Sequence, residues 1–286
     1  MKHLGKTTSY PTTFDSSLLE AIPRIFGRNE LGIEAELPFV GYDFWQAFEM
    51  SWLKSNGQPA AGVVSLQYAC ESECIVESKS LKLYLQSFHM TRFASAEEVQ
   101  ERIAADLKAL LKTDMKVMLL PLGKGALQSS LGGQWQLKPW NDQLPEYGVD
   151  LDVLEYECSV YEPDPKQLQL QEGEAQQQLF MTESFRSLCP VTGQPDFASI
   201  LVQAKGPQIN PEAMGRYIAS FRLHQGFHEQ CVEHIFTDIL ALADFEELSV
   251  VGRFTRRGGI DINPVRALNE KSSEQASQFL NRQIRQ

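Results

Sequence analysis

Glu77-Ser78-Lys79-Ser80-Leu81-Lys82-Leu83-Tyr84-Leu85-Gln86-Ser87-Phe88 is the stretch on which the reading of the fold turns. Leu81, Leu85 and Phe88 recur at i, i+4 and i+7, so the segment predicts a helix with one apolar stripe. Its last five residues, Tyr84-Leu85-Gln86-Ser87-Phe88, have a similar counterpart in Tyr217-Ile218-Ala219-Ser220-Phe221, with Tyr, Ser and Phe in common. The two copies occupy the same place in two similar series of elements, which points to a duplicated fold. In the first series, residues 38–45 and 61–68 read as strands around an Asn56-Gly57 turn signal. The opening helix follows. Ser95 and Glu98 then form a capping-box pattern ahead of Val99, Ile103, Leu107, Leu110 and Leu111, a second helix. Residues 116–122 read as a strand, with another around Trp135.

The second series repeats this order. Residues 149–161 alternate as a strand should, and the glutamine-rich residues 167–178 read as an exposed polar excursion. Residues 197–204 are a strand. Asn210-Pro211 is an N-cap followed by proline at the first helical position, opening a helix to about residue 223. A helix over residues 226–243 buries Cys231, Ile235, Ile239 and Leu242, and residues 248–254 and 259–265 are closing strands. Each half is therefore ββααββ, an α+β fold with an antiparallel sheet and two helices on one face. The expected divisions are an N-terminal arm (1–33), a first module (34–145), a second module (146–270) and a polar tail (271–286) with a weak stripe of Phe279 and Ile284.

Composition narrows the function. The chain has 286 residues, 43% hydrophobic and 22% charged, which is ordinary for a globular protein. Its net charge is −11. Phosphate neutralisation by Lys and Arg supplies most nucleic-acid affinity, so a small molecule is the expected partner and no nucleic acid is. Five scattered cysteines argue against a secreted disulfide framework. The first residues carry no apolar core of a signal peptide, and no apolar run approaches membrane-spanning length. The expectation is a cytoplasmic protein with free thiols and no membrane partner.

Several segments could carry chemistry. The N-terminal turn of the opening helix gathers Glu77, Ser78, Lys79 and Lys82, and free backbone N–H groups there favour anions. Read locally, it is a solvated helix start. Cys189 sits in Leu188-Cys189-Pro190-Val191-Thr192-Gly193-Gln194-Pro195-Asp196, a segment stiffened by two prolines. A thiol held there, with Asp196 able to exchange a proton with it, suits a nucleophile; an idle structural cysteine is the alternative. His228-Glu229 opens the long second-half helix, where a carboxylate can accept paired hydrogen bonds from a purine-like base. Arg256-Arg257-Gly258-Gly259 is a basic turn that could meet a phosphate, or an ordinary exposed hairpin. The Gly123-Lys124-Gly125 run lacks the third glycine of a dinucleotide fingerprint. Cys70 with Cys74, and His224, His228, Cys231 and His234, include zinc-type ligands, at spacings that fit no zinc ribbon.

Taken together, Glu77-Ser78-Lys79-Ser80-Leu81-Lys82-Leu83-Tyr84, the 189–196 loop, Phe227-His228-Glu229 and Arg256-Arg257-Gly258-Gly259 resemble the NADPH-dependent 7-cyano-7-deazaguanine reductases, the nitrile reductases of queuosine biosynthesis. The resemblance covers most of the chain and fits the long, two-module subfamily. It implies the tunnelling fold, in tandem modules that assemble as a homodimer. It implies that Cys189 forms a covalent thioimidate with the nitrile and that Asp196, with His228, serves proton transfer. Val76, Glu77, Ser78, His228 and Glu229 would hold the deazaguanine. Ser78, Lys79, Arg257 and Gly258 would hold NADPH, and no metal is expected. The other reading is a zinc-dependent, GTP cyclohydrolase-like or pterin-type enzyme of the same fold.

Overall fold

A computed structural model describes residues 11–34, 36–122 and 144–280. The elements run β1 (Ala21–Pro23), α1 (Ile25–Glu30), β2 (Val40–Lys54), β3 (Pro59–Ala69), β4 (Cys74–Val76), α2 (Ser78–Gln86), β5 (Arg92–Phe93), α3 (Ala96–Leu111) and β6 (Met115–Pro121). They continue with β7 (Gly148–Asp150), β8 (Gln176–Leu188), β9 (Pro195–Gly206), α4 (Pro211–Ser220), α5 (His228–Leu240), β10 (Glu247–Phe254), β11 (Ile260–Ala267) and α6 (Glu270–Ala276). The expected strand around Trp135 and the Gly123–Gly125 run lie outside the described residues, as does Ile284.

Contacts gather these elements into two units. One comprises residues 11–26, 43–122 and 256–261; the other comprises residues 27–42, 144–255 and 262–280. In the first unit the sheet order is β6-β3-β2, and β5 pairs with β2 in parallel. The β2–β3 turn closes as Asn56-Gly57 predicts: Gly57 N donates to Lys54 O at 2.8 Å, and the Asn56 carboxamide accepts from Gln58 N at 3.0 Å. β1 and β4 form a separate antiparallel pair that leads into α2. The stripes of α2 and α3 are the expected ones, with Leu81, Leu85, Phe88, Val99, Ile103 and Leu107 buried. Ser95 caps α3 by accepting from Glu98 N. The return bond from Glu98 goes to Ala94 N rather than to Ser95.

The second unit has the sheet order β11-β10-β9-β8-β7. β8 through β11 are antiparallel neighbours, and the short β7 joins β8 in parallel. Asn210 caps α4 by accepting from Ala213 N at 2.9 Å. α5 buries Cys231, Ile235 and Ile239, and every residue of β10 is buried. The element order β8-β9-α4-α5-β10-β11 is the ββααββ unit. Phe279 and Leu280, beyond α6, pack on buried Leu179, Met181, Leu201, Val251 and Val265.

The repeat is expressed in geometry as well as in letters. Tyr84 donates to Asp106 Oδ2 at 2.8 Å, tying α2 to α3; Tyr217 donates to Asp238 Oδ2 at 2.8 Å, tying α4 to α5. Ser87 and Ser220 each donate back to the tyrosine carbonyl at 2.6 Å. The Tyr84–Phe88 and Tyr217–Phe221 rings meet edge to face at 5.2 and 5.5 Å.

Two expectations fail in the second half. Residues 149–161 are not a strand: β7 ends at Asp150 and a 3-10 turn takes over. Asp150 accepts from Asp152 N, and Asp152 accepts from the Thr182 and Ser184 hydroxyls and from Glu183 N. Aspartates that bond nearby backbone favour turns, and this local bonding outweighs the alternating pattern. The first strand of the module is instead β8, which begins inside the glutamine-rich stretch. Gln178 is buried because its side chain is satisfied at both ends, donating to Pro207 O and accepting from Ile209 N.

Candidate active site

The β8–β9 hairpin sets the position of Cys189. Cys189 N donates to Gln194 O at 2.9 Å and Gly193 N to Cys189 O at 3.0 Å, closing a tight turn. Gly193 supplies the positive φ of 66° that the turn needs. Ser187 pairs with Asp196 across the ladder. Side chains alternate along a strand, so Ser187, Cys189 and Asp196 share one face of the sheet. All three are buried, Asp196 at 3% and Cys189 at 8% exposed.

That face meets the start of α5. Leu188 N donates to His224 O at 2.8 Å, and Gly226 N to Leu188 O at 3.1 Å, so the lead-in to the helix is stitched to the end of β8. His228 Nε2 consequently lies 3.4 Å from Asp196 Oδ1. Its ring stacks flat on Phe254, with centroids 3.9 Å apart and planes at 9°. His228 Nδ1 is buried and makes no hydrogen bond among the described residues, a polar atom without a partner inside the site. Glu229, the next residue, is 3% exposed. Burial pushes the neighbouring Cys231 thiol up to about 12, with Asp196 and Glu229 adding to it and Ser187 opposing. Cys231 therefore stays a thiol.

In the first unit, Glu77 caps α2. Its carboxylate accepts from Lys79 N at 2.9 Å and from Ser80 N at 2.7 Å. Glu77 is 1% exposed and Val76 beside it is buried, while Ser78 is exposed and Lys79 half-buried. Each Glu77 oxygen still has acceptor capacity beyond its cap bond.

The basic turn sits against the same helix. Gly258 and Gly259 have φ of 60° and 79°. A Cβ at Gly258 would lie 2.8 Å from Lys82 Nζ, and one at Gly259 would lie 2.5 Å from Glu49 Cδ. Lys82 Nζ is 3.7 Å from Glu49 Oε2. The Arg256 guanidinium lies 4.6 Å over the Phe48 ring. Glu49, Lys82, Gln86, Gly258 and Gly259 thus line an open depression that side chains at the glycines would fill. A bare backbone turn beside lysine and arginine fits a phosphorylated cofactor.

The structure brings Cys189, Asp196 and His228-Glu229 onto one sheet-and-helix corner of the second unit. It brings the Arg257-Gly258 turn to Lys82 in the first. Phe254 and Glu49 were not foreseen. Phe254 looks like any core residue of a closing strand, and nothing local marks it as the platform under His228. Glu49 sits where the alternating burial of β2 changes phase, between buried Ala47 and buried Met50. Among the described residues, no three His, Cys, Asp or Glu are grouped to hold a metal ion.

Two family models match the chain. One, described as "Nitrile reductase, 7-cyano-7-deazaguanine-reductase N-term", covers residues 10–119; the other, "QueF-like protein", covers residues 195–273. Proteins named NADPH-dependent 7-cyano-7-deazaguanine reductase from Burkholderia lata and Burkholderia multivorans are each 44% identical over 265 residues, covering 92% of this chain and 92% of the relative. That of Burkholderia cenocepacia is 43% identical over 267 residues, with the same coverage. With the ββααββ unit of the second half and the cysteine hairpin in place, the chain belongs to the NADPH-dependent 7-cyano-7-deazaguanine reductase family.

Proposed function

We propose that the protein reduces the nitrile of 7-cyano-7-deazaguanine to the primary amine 7-aminomethyl-7-deazaguanine, with NADPH as reductant, as a step toward queuosine in tRNA. The observation that carries this reading is the corner where Cys189, Asp196 and His228 converge, with Asp196 and His228 3.4 Å apart. A nitrile carbon is a modest electrophile. Cys189 adds to it as the thiolate, and the nitrile nitrogen takes a proton from Asp196, giving a covalent thioimidate. His228, stacked on Phe254, keeps the Asp196 carboxyl oriented. When bound, NADPH would supply the hydrides, and Cys189 would leave as the thiolate, taking the C–S electron pair, once its carbon carries the first of them.

Glu229 and Glu77 accept hydrogen bonds from the base, with Val76, Ser78 and His228 completing its recognition. Ser78, Lys79, Arg257 and Gly258, joined by Lys82, hold the cofactor phosphates. Burial of the site protects the imine from hydrolysis. The protein acts on small molecules, in the cytoplasm, as a homodimer. Residues 34–145 and 146–270 are its two modules, between an arm (1–33) and a tail (271–286).

The test is intact mass after incubation with 7-cyano-7-deazaguanine alone, then NADPH oxidation. The expected result is a mass increase equal to the substrate, and two NADPH consumed per amine. Cys189→Ala should lose both the adduct and turnover, and turnover in that variant would refute the mechanism.

A further inference from the structure

The start of α5 differs from the other long helices. α2, α3 and α4 are capped by side-chain oxygens of Glu77, Ser95 and Asn210. The N-cap of α5 is Phe227, which has no such oxygen. The next two residues are His228 and Glu229, the pair that most needs a fixed position. The cap is supplied from inside the helix instead. Gln230 turns back, and its Oε1 accepts from Phe227 N at 3.0 Å. This is half of a capping box, without the N-cap side chain that normally completes it.

The Gln230 carboxamide is in turn held from outside. Gly27 lies directly against it: a Cβ at Gly27 would fall 2.2 Å from Gln230 Nε2 and 2.5 Å from its carboxamide carbon. The next residue, Arg28, reaches the following turn of α5. Its Nε and Nη2 bond the two oxygens of Glu233 at 3.0 and 2.8 Å. Arg266 bonds Glu233 Oε1 from the sheet at 2.8 Å, and both guanidiniums lie over the Phe39 ring at 5.7 and 5.5 Å. The Gly27-Arg28 segment therefore grips α5 at two successive positions of one face, Gln230 and Glu233.

We infer that Gln230 is a positioning residue for His228 and Glu229, and that position 27 must be glycine so that the Gln230 carboxamide can reach Phe227 N. This rests on the reading above that Glu229 and His228 meet the deazaguanine. Gln230 touches no reacting atom. It sets the entry angle of the backbone that carries the two residues.

The experiment is a double-mutant cycle of Gly27→Ala and Gln230→Ala. Its readouts are KM for the nitrile, KM for NADPH, and binding of the amine product by calorimetry. The product cannot form the covalent adduct, so its affinity reports positioning alone. Each single variant should weaken product binding and raise the nitrile KM about fivefold, the loss expected for one helix cap. NADPH KM should stay within about twofold of wild type, far less than a lost phosphate contact would move it. The double variant should be no worse than Gln230→Ala, because without the carboxamide the added methyl has space. Losses that multiply in the double variant, or a Gln230→Ala protein with wild-type product binding, overturn the inference. Should the double variant not fold, Gln230→Met keeps the volume, deletes the acceptor, and must show the same loss of product binding. Glu229→Gln is the control. If that variant also binds product normally, the site assignment has failed rather than the role of Gln230.

Discussion

Two imidazoles in the second unit make stability depend on pH in a calculable way. His224 and His234 lie with centroids 5.4 Å apart, and Phe221 contacts both rings. Burial depresses each to about 4 from an ordinary 6.5, and the charge of His234 adds to the effect on His224. The carboxylate of Asp238, 3.4 Å from His234 Nε2, is shared with the Tyr217 hydroxyl. A histidine whose folded pKa is depressed binds its proton more readily when unfolded. Its contribution to stability is complete at neutral pH and is lost as pH falls from about 6.5 towards 4. With those two values, each ring costs about 1.4 kcal/mol at pH 5.5 relative to pH 7.5, or about 3 kcal/mol for the pair. Burial also raises the Asp238 carboxyl, which acts in the opposite sense as pH falls. Urea unfolding at pH 7.5, 6.5 and 5.5, followed by far-UV circular dichroism, measures the slope. The His224→Gln/His234→Gln protein should lose most of this pH dependence while its stability at pH 5.5 approaches its value at pH 7.5. An unchanged slope in that variant would refute the assignment of the protons to these rings.

Two further outcomes follow from charge and backbone. Glu233→Gln leaves Arg28 and Arg266, with side chains 8% and 0% exposed, facing no carboxylate at that position. It should cost about 3–5 kcal/mol by chemical denaturation, whereas the Glu233→Leu/Arg28→Met/Arg266→Met triple variant should recover most of that; equal losses in both would show that charge is not the cause. Gly259→Ala places a methyl at φ 79° and against Glu49, at a backbone cost of about 1–2 kcal/mol. NADPH affinity, read by quenching of its fluorescence, should fall while binding of the amine product does not; the reverse pattern would move the cofactor away from this turn.

The legible parts of this chain were those decided by near neighbours. The Ser95 and Asn210 caps, the Asn56-Gly57 turn and the apolar stripes of α2 and α3 depend on residues three or four positions apart, so their letters suffice. The Tyr84–Phe88 repeat was legible for the same reason, since the serine-to-tyrosine-carbonyl bonds recur within one helical turn, whereas the tyrosine hydroxyl bonds to Asp106 and Asp238 reach the next helix. β8 was not legible, because its opening glutamines look solvated until Pro207 and Ile209 satisfy Gln178 from a distant loop. Residues 149–161 misled in the opposite direction: their alternation is real, but Asp150 and Asp152 spend it on a turn. Cys189, Asp196 and His228 were named from sequence, but the Phe254 platform and the grip of Gly27 on Gln230 arise only from contacts far apart in the chain.

The Arg28–Glu233 bond spans 205 residues. A ribosome adding 5–20 residues per second needs roughly 10–40 s to cover that distance. Throughout that interval Arg28 and Phe39 have emerged while the helix and strand that enclose them have not. The early segment must wait, exposed, for the late one, a task suited to a chaperone. A cut in the middle of the chain would also separate partners of one buried charge cluster. Residues 146–286 expressed alone would lack Arg28 and Phe39, so dissecting this protein calls for co-expressed or permuted pieces rather than simple truncation.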